Sequence, residues 1–272
     1  MTTGEHPGLY LNGATIMTTP TPLLLEMARD AGFSGIEARA ERLLTDPAET
    51  ATTARAARPG DVWSLNGVRI GLEADGRLQR ETLELDLTRR LDVCRAIRAE
   101  YLLAVPPRVG GLGEAAALRG IRDGLELARD RATADGVKVA FEFLGFLDCP
   151  IGTPEAAAAT IDRLEGVDLV LDSCHWHASG AGPLDAFPVD RLAMVHLNDA
   201  PAKLPREIED ADRVLPGEGV IRLQQLVASL RARGYAGPWS LETFNPRYWA
   251  EDPASVVRRG RAALESLMQV DS

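Results

Sequence analysis

The chain has 272 residues, is 45% hydrophobic and carries a net charge of −10. That length suits one large α/β domain, and the acidic balance argues against a broad nucleic-acid surface. Cys94, Cys149 and Cys174 are widely spaced and form no CxxC pair, so neither a disulfide framework nor a thiolate zinc site is favoured.

Residues 1–8, including His6, read as a flexible tail without the charged start and apolar run of a signal peptide. No apolar run is long enough to span a bilayer, and a reducing cytoplasm is the expected compartment. From Leu9 the pattern is strand then helix, repeated. LYLNGATI from Leu9 reads as a strand, and TPLLLEMARDAG from Thr21 as a helix ending at Gly32. Strand candidates follow from Ser34 (SGIEARA) and Val62 (VWSLNGV). A helix from Glu81, a strand from Tyr101 (YLLAVPP) and a helix from Glu114 to Gly136 come next. VKVAFEFLG from Val137 is the fifth strand, and Thr153-Pro154-Glu155 opens a helix with Thr153 as its N-cap. VDLVLDSCH from Val167 and LAMVHLND from Leu192 are the sixth and seventh strands. A long polar insertion runs from Ala200 to Val220, a length that in a βα loop usually signals function. A helix closing at Gly234, the strand PWSLETF from Pro238 and a last helix from Pro253 finish the chain. Eight such units predict a parallel sheet with helices outside. An open doubly wound sheet would show a glycine-rich turn after the first strand; NGATIMTTPTP is not one. The predicted fold is therefore a single-domain (β/α)8 barrel over residues 9–272.

Four consecutive strands carry a polar side chain near their C-terminal ends: Glu142, Asp172, His196 and Glu242. Barrel enzymes place their chemistry at that face, and a buried carboxylate is costly unless paired or bound to a cation. Three carboxylates and one imidazole make an oxygen-rich site for one divalent ion, Mn, Mg, Co or Zn. Such an ion stabilises an enediolate formed beside a carbonyl, and the two glutamates suit the base and acid on that carbon. His175, three residues past Asp172, is expected to touch substrate or relay a proton. His177 and Trp176 are weaker candidates for substrate contact, with shaping the turn as the alternative. Arg213 in the long loop offers a fixed cationic fork to a substrate oxygen. Asn12, Glu37, Arg39 and Asn66 lie near the ends of the first three strands, where sugar hydroxyls are bound or where they serve the structure. A Schiff-base aldolase is disfavoured: the only lysines are Lys138, at the start of its strand, and Lys203, in a loop.

FEFLG, LDSCHWH, VHLNDAP, DRVLPGEG and SLETFNPRYW resemble the xylose-isomerase-like barrel enzymes of the sugar phosphate isomerase/epimerase group. Within it they are most similar to the bacterial isomerases of 2-keto-myo-inositol (inosose). The resemblance runs from Leu9 to the last helix. It implies that Glu142, Asp172, His196 and Glu242 are metal ligands, that His175 and Arg213 contact substrate, and that the two glutamates exchange the proton. The implied activity is isomerisation or epimerisation of a polyhydroxy ketone, a ketocyclitol or keto-sugar, through a cis-enediolate. A dehydratase on the same barrel and a ketose 3-epimerase are the alternatives. No nucleic-acid or membrane partner is expected, and a homodimer is compatible with the resemblance. The chain departs from the group's pattern at Cys174, Leu215, Glu218 and Asn245, which surround the expected pocket rather than the metal.

Overall fold

Eight parallel strands close on themselves in chain order, β1 pairing with both β2 and β8. This computed structural model describes residues 8–269; the expected flexible tail, apart from Gly8, lies outside the described residues. The strands are β1 (Leu9–Asn12), β2 (Gly35–Arg39), β3 (Val62–Arg69), β4 (Tyr101–Val105), β5 (Lys138–Glu142), β6 (Val167–Asp172), β7 (Leu192–Leu197) and β8 (Trp239–Leu241). All are nearly continuously buried, as a sheet covered on both faces requires. One side of each strand feeds the large apolar layer under the helices. The other fills the barrel interior, where Trp63, Tyr101, Leu103, Ala140, Val170 and Met194 form a plug. On β5, β6 and β7 the residues two positions beyond this plug are polar, Glu142, Asp172 and His196, and they build the site described below.

The outer helices are α1 (Thr21–Asp30), α2 (Ala40–Thr45), α3 (Pro47–Ala56), α4 (Arg80–Ile97), α5 (Glu114–Ala134) and α6 (Pro154–Ile161). They continue with α7 (Ser173–Ala178), α8 (Leu223–Ala232), α9 (Pro246–Trp249) and α10 (Pro253–Gln269). Thr153 caps α6, its hydroxyl accepting from the Ala156 amide at 3.1 Å. Gly32, Gly136 and Gly234 follow α1, α5 and α8 with positive φ of 80°, 71° and 92°, the left-handed geometry glycine adopts without strain. Helices α2 and α3 had no counterpart in the sequence reading, although Asp46-Pro47 marks the start of α3. The Asp46 carboxylate accepts from the amides of Ala48 and Glu49 at 2.9 and 3.0 Å. Strand β6 is shorter than expected. It stops at Asp172, whose carboxylate accepts from the His175 amide at 2.8 Å and starts α7. None of the described helices is long and apolar enough to cross a membrane.

Candidate metal centre and substrate cavity

Glu142 and Asp172 end β5 and β6, His196 lies in β7, and Glu242 follows β8 directly. The β6–β7 register sets Asp172 beside His196. All four are buried, and one ligand atom from each lies within 4.8 Å of the others. His196 Nδ1 is 3.2 Å from Glu142 Oε1 and 3.2 Å from Glu242 Oε2, so this nitrogen faces the cluster. Its Nε2 faces away, 3.1 Å from Glu37 Oε1. Asp172 Oδ2 accepts from Asn198 Nδ2 at 2.6 Å and from Arg213 Nη1 at 3.1 Å.

Within the chain itself these charges are uneven. Burial pushes the Glu142 carboxyl up to about 7 despite His196. Burial likewise raises Asp172, with Arg213 opposing. Burial acts upward on Glu242 too, but His196, Arg213 and Arg39 outweigh it and hold this carboxyl below the usual range. His196 is raised well above the ordinary imidazole value, because Glu37, Glu242 and Glu142 outweigh its burial. Three carboxylates crowded on one histidine leave a surplus of negative charge in low dielectric. A divalent cation relieves that surplus, and three oxygens plus one nitrogen are the donors a hard or borderline ion takes. The residues present fit one such ion.

Beneath the cluster sits Glu37, fully buried. It accepts from Ser64 Oγ at 2.7 Å, Ser240 Oγ at 2.5 Å and Asn12 Nδ2 at 3.2 Å, besides His196. Asn12 also donates to Glu242 Oε1 at 2.9 Å. Asn12 and Glu37 are therefore engaged below the cluster and not open to sugar hydroxyls. This differs from the sequence reading because their polar atoms are spent on each other and on His196, Glu242, Ser64 and Ser240.

Above the cluster opens a cavity of 430 Å³. Arg39, Asn66, Glu142, His175, Arg213, Glu242 and Phe244 are among its walls. Arg213 is 1% exposed. Its Nη1 donates to Glu242 at 2.8 Å as well as to Asp172, and its Nη2 pairs with Asp210 at 2.7 Å. Nη2 also lies 2.9 Å from His175 Nε2. A guanidinium only donates, so Nε2 accepts and the His175 proton sits on Nδ1, which has no partner. Burial and the Arg213 charge hold His175 well below the ordinary imidazole value. It is a neutral donor.

The loop after β7 is fixed so that Arg213 reaches this position. Asp199 and Val214 form a two-stranded bridge. The Asp199 carboxylate accepts from the amides of Ala200, Gly217 and Ile221. Asn245 Nδ2 donates to the Arg213 carbonyl at 2.8 Å. Tyr248 accepts from the Leu215 amide and donates to Glu218. Leu215, Glu218 and Asn245, where the chain departs from the resembling group, thus serve this loop.

Trp176 and His177 do not line the cavity. The Trp176 indole donates to the Gly182 carbonyl at 2.9 Å, and its ring packs in the outer apolar layer. His177 is half-buried, near Asp199 and Arg222. The cause is α7: at about 100° per residue, only His175 of the three points inward. The sequence reading missed Asn198, Asp210, Ser64 and Ser240. Asn198 had a legible signal, lying two residues after His196 and so on the same side of the chain. Asp210 had none, since a loop acid pairs only through the path of its loop.

Comparison with known proteins places this arrangement. A family model described as xylose isomerase-like TIM barrel matches residues 25–267. An inosose isomerase of Bacillus licheniformis is 29% identical over 216 residues, 77% of this chain and 76% of that protein. An inosose isomerase of Halalkalibacterium halodurans is 32% identical over 130 residues, and the match spans 46% of each protein. Among solved structures, the IOLI protein with a bound zinc atom superposes with a TM-score of 0.86 at 24% identity, covering 96% of this chain and 98% of that one. That last likeness is one of fold. With a family model matched from the first helix to the last, the chain belongs to the xylose isomerase-like TIM barrel family.

Proposed function

We propose that the protein is a divalent-metal-dependent isomerase or epimerase of a polyhydroxy ketone, with a ketocyclitol such as 2-keto-myo-inositol or a keto-sugar as substrate. The observation that carries this reading is the placement of Glu142 and Glu242. Both stand 3.2 Å from one histidine nitrogen, and both line a cavity of hydroxy-ketone size. The named similarity to inosose isomerases supports the same class. Glu142, Asp172, His196 and Glu242 would hold the ion, Mn, Zn, Co or Mg. When bound, the ion supplies Lewis-acid polarisation of the ketone and offsets the charge of a cis-enediolate.

The remaining work falls to the chain. One glutamate takes the proton from the carbon beside the carbonyl and the other returns a proton to the neighbouring carbon, or to the opposite face of the same carbon. Arg213 sets a fixed positive charge against the oxygen that becomes anionic. His175 donates its Nδ1 proton to a substrate oxygen and stays neutral while doing so. Asn66 lies on the opposite wall. Leu144 and Phe244 limit water at the reacting carbons. Cys94, Cys149 and Cys174 are buried free thiols, which suits work in a reducing cytoplasm.

The test is proton exchange. Metal-loaded protein and an EDTA-stripped control are incubated with 2-keto-myo-inositol in deuterated water and followed by NMR. Metal-dependent deuterium uptake beside the carbonyl, with a new ketone appearing, is expected, and Glu142→Gln and Glu242→Gln each lower it by about 10²–10⁴-fold. A product lacking one water moves the reading to a dehydratase. Bound metal with no exchange on any hydroxy ketone overturns it.

A further inference from the structure

The cavity above the metal ligands has an uneven distribution of charge. Its acids are Glu41, Glu142, Asp210 and Glu242. Each has a cationic partner on its own side of the barrel: Arg39 for Glu41, Arg213 for Asp210 and Glu242, and His196 for Glu142. Arg39 and Arg213 thus already face acids, although each keeps a buried Nε without a partner. The wall built from β3, β4 and α4 is different. Asn66, Gly67, Arg69, Arg90, Leu103 and Val105 form it, with two arginines and no acid.

Those two arginines have unused capacity. Arg69 is exposed and makes no ion pair among the described residues. Arg90 gives Nε to Asp86 at 2.9 Å, while its Nη1 is buried without a partner. Beside them Asn66 is 1% exposed, and its side-chain amide meets the Ser64 hydroxyl, whose proton goes to Glu37. Buried donors are nearly always satisfied, and an orphaned donor on a cavity wall points to a ligand acceptor. Two guanidiniums present donors only. The complementary group is an oxyanion, which guanidiniums bind by charge-assisted hydrogen bonds. A neutral polyol needs no such pair of charges.

We propose that this wall binds a carboxylate or phosphate on the substrate, so that the substrate is an acidic polyhydroxy ketone. The inference rests on the isomerase reading and narrows its substrate to an acidic derivative, neutral 2-keto-myo-inositol then being a poorer substrate that lacks the anion. The ketone and its neighbouring hydroxyl lie at Glu142 and Glu242, and the anion lies at Arg69 and Arg90.

Binding to the zinc-loaded protein is measured by calorimetry with two matched pairs: myo-inositol against myo-inositol 1-phosphate, and D-glucose against D-glucuronate. At least one anionic member is expected to bind about tenfold or more tightly than its neutral counterpart, the effect of one charge-assisted contact. A gain only for the phosphate identifies a phosphorylated substrate, and a gain only for the uronate a carboxylic acid. In Arg69→Gln and Arg90→Gln the gain shrinks, and in the double variant it disappears while zinc content stays at one per chain. The gain also falls with added salt, because Arg69 is exposed. Persistence of the gain in the double variant overturns the proposal, since the anion would then sit on the metal. Equal binding of neutral and anionic members also overturns it and leaves the isomerase reading standing. Binding of none of the four probes overturns the proposal, and the isomerase reading is then decided by the proton-exchange test.

Discussion

Glu37 touches no part of the cavity, yet its charge should govern metal affinity. Replacing it by glutamine keeps its shape and removes one acceptor. His196 Nε2 lies 3.1 Å from Glu37 Oε1 and 3.2 Å from Oε2, so it sits between the two oxygens. A glutamine places one neutral carbonyl and one NH2 beside Nε2 in place of two carboxylate oxygens. The Nε2 proton then loses its anionic acceptor, and the tautomer with the proton on Nδ1 gains population. That is the nitrogen that faces Glu142 and Glu242, where the ion is held. Ser64 and Ser240 can rotate their hydroxyls to accept, so they soften the damage to packing but not this shift. Loss of such a supporting carboxylate typically weakens metal binding by about 10–100-fold, or roughly 1.4–2.7 kcal/mol. Competition with a calibrated chelator measures zinc affinity in wild type and Glu37→Gln, and ¹⁵N NMR of the imidazoles reads the tautomer. Zinc affinity within twofold of wild type, with His196 Nδ1 still unprotonated, refutes the reasoning.

Other predictions follow from the same geometry. The folded Glu142 carboxyl stands near 7 and its unfolded value near 4.5, so the folded chain binds the extra proton between them. This group's contribution is complete below pH 4.5 and is lost as pH rises through 7. It amounts to about 3 kcal/mol. The metal-free protein should therefore melt at a lower temperature at pH 8 than at pH 5.5, and Glu142→Gln should flatten that slope in a thermal scan; a slope unchanged in the variant counts against it. Zinc affinity should rise with pH through 7 and beyond as the ion displaces protons from Glu142 and His196, which calorimetry in two buffers detects as proton release. Arg213→Met leaves Asp172 and Glu242 without their guanidinium and should cost about 3–5 kcal/mol in urea unfolding of the metal-free chain, much of it recovered on zinc binding. Gly145→Ala should impair turnover without removing metal, because a Cβ there would stand 2.2 Å from the His175 carbonyl oxygen. Unchanged kcat/KM would show that His175 has room to shift.

The four-ligand set was legible before any coordinates because strand periodicity and the direction of a barrel strand are local properties. Glu142, Asp172, His196 and Glu242 each end an apolar run of the right length, and closure of eight such runs brings their ends to one face. Helix caps at Thr153 and glycines after α1, α5 and α8 were legible for the same reason. What lies within about four residues along the chain decides them. The tertiary structure decided everything that depends on depth or on the path of a loop. Glu37 and Asn12 read as pocket residues, but closure of the barrel buries them under the ion site and spends their polar atoms on His196 and Glu242. Trp176 and His177 are chain neighbours of His175, but one turn of α7 directs them elsewhere. The pairing of Arg213 with Asp210, Asp172 and Glu242 requires the 198–221 loop to fold back over β7, which no period in the sequence records. Likewise, Arg69 and Arg90 are 21 positions apart, and only the packing of α4 against β3 gives them a common wall. Sequence periodicity determined which side chains reach the barrel's open end, and long-range packing determined which of them remain unpaired there and so able to bind.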